Sequence, residues 1–350
     1  MTSSSATHVH SSSGKPKTCL SGARDTTRAQ KGKILLSFLM TRSIGRSRRS
    51  VPGSNNAAGS RFKHAAAGAQ VTRAESPPYS RIAAAYASIG ELDFSRRMSH
   101  WILTALLRGD VGNMLDLACG AGEAVRVFRN AGWQALGLDK SASMLRLACA
   151  RNGPGATFRR GSMQQRFGVP AQFNLVTCMY DAINCNLLVK DLLATFRNAH
   201  FVLAPSGRFV FDAYTPRGLY LAYPEGWKLY ARNRDHIVFS AARFDQRRRV
   251  GTKEFIGASR MRKWRLWREV HQVRAYPTKV LMQALSQARF RSMTVYGWPS
   301  GLMVSPRGAE NLDRIVIVAQ RGEGRRSGSD SPLCDTGKLI KRGASFTFPP

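Results

Sequence analysis

Two short segments do more than any others to limit what this chain can fold into: Met114-Leu115-Asp116-Leu117-Ala118-Cys119-Gly120-Ala121-Gly122 and Gly137-Leu138-Asp139. The first reads as an apolar strand running into a glycine turn that opens a helix. The second reads as the following strand, closed by an acid. Glycines in such a turn let a ligand approach the backbone with no Cβ in the way, and Asp139, 19 residues after Gly120, stands where two ribose hydroxyls need an acceptor. The pattern predicts a nucleoside ligand in an α/β sheet.

Absences narrow the nucleoside. A dinucleotide site calls for a third small residue three positions after the second glycine, and that place is Val125. A phosphate-gripping loop calls for Lys-Ser/Thr after the glycines, and none follows. Asp116, four residues before Gly120, is suited instead to orienting the loop and meeting a positively charged amino-acid moiety.

The alternation continues along the chain. A first helix over Tyr79, Ile82, Ala83 and Tyr86 and a second from about 94 to 107 precede a strand at 113–118. Helix 121–130, strand 134–139, a helix capped by Ser141 and closed at Asn152-Gly153, and strand 156–160 follow. Strand 173–179, helix 187–202 and strand 207–213 complete a series whose spacing implies parallel β-α-β units. Between Trp227 and Tyr276 the period changes to two, as in His236-Ile237-Val238-Phe239 and Trp264-Arg265-Leu266-Trp267, which predicts antiparallel strands inserted into the series. A helix over 277–287 and strands 290–296 and 314–320 close it.

Four blocks in register carry a resemblance: 115–122; Gly137-Leu138-Asp139 with Ser141 and Ser143-Met144-Leu145; 173–184; and 203–212. Over residues 79–321 they resemble the class I S-adenosylmethionine-dependent methyltransferases. The resemblance implies a Rossmann-like α/β fold: a seven-stranded, mostly parallel sheet with helices on both faces and a small antiparallel β insertion, about 218–276, over the acceptor pocket. It implies S-adenosylmethionine as cofactor, a small-molecule acceptor, and a site at the carboxyl ends of the strands. On the donor side it places Asp116 toward the methionine amine, Ala118, Cys119, Gly120 and Gly122 in the loop, and Asp139 at the ribose. Lys140 and Met144 then flank the adenine, Ser162 and Met163 its edge, with Met179 nearby and Tyr79 and Tyr86 closing over the cofactor. For Met163 and Met179 plain core filling competes with contact, and Cys119 reads better as a small residue packed below the loop than as a nucleophile. On the acceptor side it places Tyr180, Asp181, Asn184 and Asp212, with His271 as candidate general base because imidazole titrates near neutral pH. The chain departs from the family at Gly161-Ser162-Met163, where an aspartate is usual, and at Pro205-Ser206-Gly207 and Ala288-Arg289-Phe290, where a glycine is usual in place of Ser206 and of Arg289.

The ends read differently from the middle. Residues 1–74 hold 13 Lys and Arg against one acid and are rich in Ser, Ala and Gly, too polar to repay the entropy of ordering. Residues 1–75 are therefore expected to be a disordered basic extension, a mis-assigned start or an organellar transit segment, and 322–350 a disordered tail. Six scattered cysteines without a Cys-x-x-Cys pair argue against a zinc site or disulfide framework and favour a reducing, cytoplasmic compartment. No apolar run is long enough to span a membrane. Residues 76–320 nevertheless hold 35 basic and 16 acidic residues, a charge that attracts polyanions. Residues 228–268, with 13 basic residues among Trp264 and Trp267, offer a nucleic-acid surface as one rival reading, although the segment after strand four lacks the Asn/Asp-Pro-Pro-aromatic run used on flipped bases; Ser162 and Ser206 motivate a second, a degenerate fold that binds the cofactor weakly and works as a non-catalytic interaction module.

Overall fold

The computed structural model describes residues 77–86, 90–168, 170–260 and 262–322. The expected basic extension or transit segment and the tail beyond residue 322 lie outside the described residues.

Strands β1 (Asn113–Leu117), β2 (Gln134–Asp139), β3 (Thr157–Arg160), β4 (Phe173–Cys178) and β5 (Leu203–Tyr214) pair in parallel. Strands β10 (Phe290–Gly297) and β11 (Arg314–Arg321) complete a seven-stranded sheet in the order β10-β11-β5-β4-β1-β2-β3. Only β11 runs against its neighbours. The order reverses at β1, which lies between β2 and β4, and a crevice opens at such a point beyond the carboxyl ends of the strands. The α/β architecture is the one the sequence predicts.

Alternation along the strands divides the core. Leu115, Leu117, Phe209, Phe211, Ile315 and Ile317 face α5 (Val189–Val202) and α7 (Thr278–Gln287), meeting Phe196, Leu281 and Leu285. Met114, Val210 and Val316 point the other way, to Met98 of α2 (Leu92–Trp101), Ile102 of the π-helical turn Ile102–Leu107, and Phe128 of α3 (Glu123–Asn130). Each such fully buried side chain contributes about 1.5–3 kcal/mol by leaving water. Helix α4 (Ala142–Asn152) begins as expected, with the Ser141 hydroxyl accepting from the Met144 N–H.

A second sheet stands apart: β6 (Gly226–Arg232), β7 (His236–Asp245), β8 (Val250–Arg260) and β9 (Trp264–Arg274), all antiparallel, entered through α6 (Pro216–Ala222). Along β9 the buried positions are Trp267, Glu269, His271 and Val273, so period two puts a carboxylate and an imidazole on the apolar face. That face packs on the leading segment: Trp267, Phe255 and Val238 enclose Ile82 and Ala85.

Three sequence expectations are corrected. Among the described residues the leading helix α1 covers Ala83–Tyr86, and Tyr79 lies before it in a turn with φ of 60°. The second helix ends at Trp101 and widens into the π-helical turn rather than running on regularly to 107. Strand β5 begins at Leu203 and not at 207, because a register shift against β4 absorbs the Pro205-Ser206-Gly207 segment. At both departures from the glycine pattern a side-chain-bearing residue adopts the left-handed backbone: φ is 61° at Ser206 and 71° at Arg289.

Candidate active site

A cavity of about 340 Å³ lies beyond the carboxyl ends of β1, β2 and β4, roofed by β9 and the leading segment. The wall on the side where the resemblance expects the donor, the donor wall, is local. The Asp139 carboxylate accepts from the Gly120 N–H at 2.9 Å and the Ser141 N–H at 2.7 Å, so the acid that ends β2 also fixes the glycine turn after β1. Ala118 holds a φ of 55° to make that turn, and Gly120 a φ of 52°. A Cβ at Gly120 would meet nothing within 4 Å; the turn faces open space. Burial pushes the Asp139 carboxyl upward, partly offset by the two N–H donors. Ala118, Cys119, Gly120, Asp139, Lys140, Met144, Ser162, Met163 and Met179 all border the cavity. The Cys119 thiol is raised well above its usual value by burial, which suits packing rather than nucleophilic work.

These residues fit an adenosyl amino acid. The cradle at Gly120 is open, Asp139 retains acceptor lone pairs beside it, and Met144 and Met163 supply apolar walls. At the edge of the cavity the Ser162 hydroxyl bonds to Gln164 Oε1, and Gln164 Nε2 donates to Asn186 Oδ1 at 2.8 Å. Where an aspartate is usual, this chain presents a hydroxyl and an amide held in a fixed chain.

The acceptor wall is gathered from distant parts of the chain. Glu269, fully buried, accepts from the N–H groups of Tyr79 (3.0 Å) and Ile82 (3.2 Å), from the Arg81 N–H, from the Ser80 hydroxyl (3.2 Å) and from His271 Nε2 (2.9 Å). Five donors on one carboxylate offset its desolvation and clamp the leading segment to β9. Tyr79 and Tyr86 therefore border the cavity, the Tyr79 ring 4.4 Å from that of His271. With its Nε2 proton directed at Glu269, His271 keeps the Nδ1 lone pair; the tautomer follows from that hydrogen bond. Tyr180, at φ 61°, also borders the cavity, and its hydroxyl donates a hydrogen bond to Glu91. Its pKa is raised, first by burial and then by the Glu91 charge.

Five expected residues do not border the cavity. Asp116 shares the face of Met114, away from the opening, and accepts from Thr177 Oγ1 at 2.7 Å. Burial pushes its pKa up to about 7 against the opposing effect of that hydroxyl. Gly122 faces Phe158 and Asn152, which a Cβ would meet at 2.7 and 2.8 Å, so its contribution is to let α4 and β3 close on α3. Asp181 and Asp212 turn to Arg314, whose Nη2 lies 3.1 Å from Asp181 Oδ1 and whose Nη1 bonds Asp212. Burial pushes Asp181 up to about 6, with Arg314 pulling the other way. Asn184 is fully buried: its Oδ1 accepts from Tyr214 N at 2.9 Å, and its Nδ2 donates to the carbonyls of Tyr214 (3.2 Å) and Arg274 (2.9 Å). A strand's carboxyl end offers both cavity-facing and core-facing positions, and a motif does not say which is which.

Sequence reading passed over Glu91, Glu123, Gln164 and Gln272, which border the cavity. Glu123 had a legible signal, an acid in the first turn of α3. It is bonded by Arg126 (2.6 Å), Arg96 (2.8 Å) and Arg151 (2.9 Å), and these cations outweigh burial to lower its pKa to about 2. Glu91 and Gln272 lie outside any motif.

Residues 114–207 match a family described as a methyltransferase domain. Among curated proteins, the putative methyltransferase YqeM of Bacillus subtilis (strain 168) is 29% identical over 127 residues, which is 36% of this chain and 51% of that protein. The chain thus spans about half the length of this relative. Among solved structures, an S-adenosylmethionine-dependent methyltransferase from Clostridium acetobutylicum ATCC 824 superposes with a TM-score of 0.58 at 19% identity, over 69% of this chain and 98% of that one. CalS10, an amino pentose methyltransferase of Micromonospora echinaspora solved with SAM bound, superposes with a TM-score of 0.51 at 25% identity, over 68% of this chain and 95% of that one.

Proposed function

Starting from a methyltransferase domain in a class I fold, we propose that this chain transfers a methyl group from S-adenosylmethionine to a small-molecule acceptor. The observation that carries the reading is Asp139 holding the open Gly120 turn at the wall of a cavity. Asp139 accepts from the ribose hydroxyls, the Gly120 turn takes the amino-acid moiety, and Lys140, Met144, Met163, Ser162 and Gln164 hold the adenine. Asp116 acts one step back, keeping the β1 end in place through Thr177.

When bound, the cofactor supplies a methyl group already activated by positively charged sulfur. The protein is left to align the acceptor, exclude water and accept a proton. Tyr79, pinned by the Glu269 clamp, and Tyr86, whose ring meets that of Tyr79 edge-on at 6.3 Å, shut the cleft from above. Through Nδ1, His271 takes the acceptor's proton, and Glu269 holds its ring in orientation. A small acceptor suits a cavity of this size. The exposed Arg247, Arg248 and Arg249 at the β7–β8 turn are a solvated face in this reading. The setting we propose is cytoplasmic, in keeping with four free cysteines at 119, 149, 178 and 185; no helix among the described residues is long and apolar enough to cross a membrane.

Isothermal titration with S-adenosylmethionine tests the reading, and saturable binding is expected. A folded protein without detectable binding overturns it. Incubation with radioactive methyl donor separates the rival: label is expected in small acceptors, and label in RNA would move the substrate assignment to nucleic acid.

A further inference from the structure

Glu91 differs from the other acids around the cavity in having phenols as partners; Asp139 and Glu269, which also form no ion pair with a described lysine or arginine, are held by backbone N–H groups and by His271. Glu123, Asp181 and Asp212 are each paired with arginine. Glu91 borders the same cavity, yet no described lysine or arginine forms an ion pair with it. Its partners are two phenols: Tyr180 donates to Oε2 and Tyr230 to Oε1. Both phenols are kept protonated by burial and by the Glu91 charge itself. The carboxylate is thus oriented by neutral donors from the segment after β4 and from β6, and Lys253 acts on it only at a distance.

The surroundings are aromatic. Tyr180 stacks on Phe94 at 5.0 Å, and Tyr86 and Tyr180 both border the cavity. Two cations already lie over rings here, Arg314 over Phe94 (4.4 Å) and Tyr180 (5.7 Å) and Lys253 over Tyr223 (4.7 Å) and Tyr230 (5.9 Å), and neither borders the cavity. A fixed carboxylate beside the cavity favours an ammonium through direct charge attraction, with the cavity-bordering Tyr86 ring as a second, weaker attraction. A hydroxyl gains little from either, and a carboxylate is repelled.

We propose that Glu91, oriented by Tyr180 and Tyr230, is the subsite that selects an amine acceptor, taken up as the ammonium; once His271 has accepted one N–H proton, the freed nitrogen lone pair would take the methyl group as the carbon–sulfur bond breaks, leaving S-adenosylhomocysteine. This rests on the methyltransferase reading. Glu91 determines specificity and is separate from the donor wall at Asp139.

The test uses the full chain with S-adenosylhomocysteine present and two matched sets of probes: glucosamine, glucose and glucuronate; and cyclohexylmethylamine, cyclohexylmethanol and cyclohexanecarboxylate. Thermal shift and calorimetry should show both amines bound at least about 10-fold more tightly than their alcohols, a preference that weakens with salt. Glu91→Gln should abolish that preference while leaving S-adenosylhomocysteine affinity within about 2-fold. Tyr230→Phe, which removes one orienting phenol and keeps the charge, should reduce the preference only in part, and it serves if Glu91→Gln does not fold. Equal binding of amine and alcohol by the unaltered protein, preference for the carboxylate probes, or an amine preference that survives Glu91→Gln each overturn the proposal. Absence of S-adenosylhomocysteine binding instead overturns the methyltransferase reading beneath it.

Discussion

On the donor wall of the cleft, Ala118, Cys119, Gly120, Asp139, Lys140 and Ser141 belong to one β-α-β unit; the Gly120 N–H bond to Asp139 joins its two strand ends, and the Ser141 N–H bond fixes the carboxylate locally. On the acceptor wall, Glu269 reaches back 187 to 190 residues to collect Tyr79, Ser80, Arg81 and Ile82. The first wall is set by local backbone geometry. The second exists only when the inserted sheet and the leading segment have both docked. Donor recognition should therefore survive damage that abolishes acceptor recognition, and the reverse should not hold.

Glu269→Ala is the hardest test of that contrast, because it strands several buried donors at once. A loss of about 3 kcal/mol in unfolding free energy is expected by urea denaturation. Faster proteolysis between 77 and 86 should accompany it, with donor affinity reduced far less. Equal losses at both walls would end the distinction. Asp139→Ala attacks the other wall. It should weaken S-adenosylmethionine binding by about 1–3 kcal/mol in calorimetry while leaving the leading segment protected; unchanged affinity would refute the ribose role.

Asp116→Asn sharpens the picture beneath the donor wall. The native carboxyl titrates near 7 against an ordinary 3.8, so between those values the folded state holds a proton that the unfolded state has released. Stability from this group is full below about pH 4 and declines as pH rises toward 7. The asparagine variant keeps an acceptor for Thr177 and removes the buried charge, so it should gain on the order of 2 kcal/mol at pH 8 and nothing at pH 4. Stability curves of the two proteins that run parallel across this range would contradict the assignment. The smallest effects are expected at Ser206→Gly and Arg289→Gly. Both sites are exposed and left-handed, and each substitution should add about 0.5–1 kcal/mol with both walls untouched.

The same contrast explains how much could be read in advance. The Asp116-to-Gly122 run and Asp139 exposed the fold and the donor wall, because a turn and a strand end write their requirements into neighbouring residues. Ser141 was legible as a cap for the same reason. Asp181, Asn184 and Asp212 misled because they follow strands at the correct end of the sheet yet point to Arg314 or to the chain's own backbone. Glu91 left no trace, since its meaning comes from phenols 89 and 139 residues away. His271 was visible as a residue type, but not the carboxylate that orients it.

Asn184 carries a consequence for redesign. One amide grips both Tyr214, where the chain leaves the parallel sheet, and Arg274, where it returns. The inserted sheet is therefore no interchangeable cassette. A graft from another enzyme would have to bring the segment after β4 with it, or arrive at its two roots with nothing to lock them.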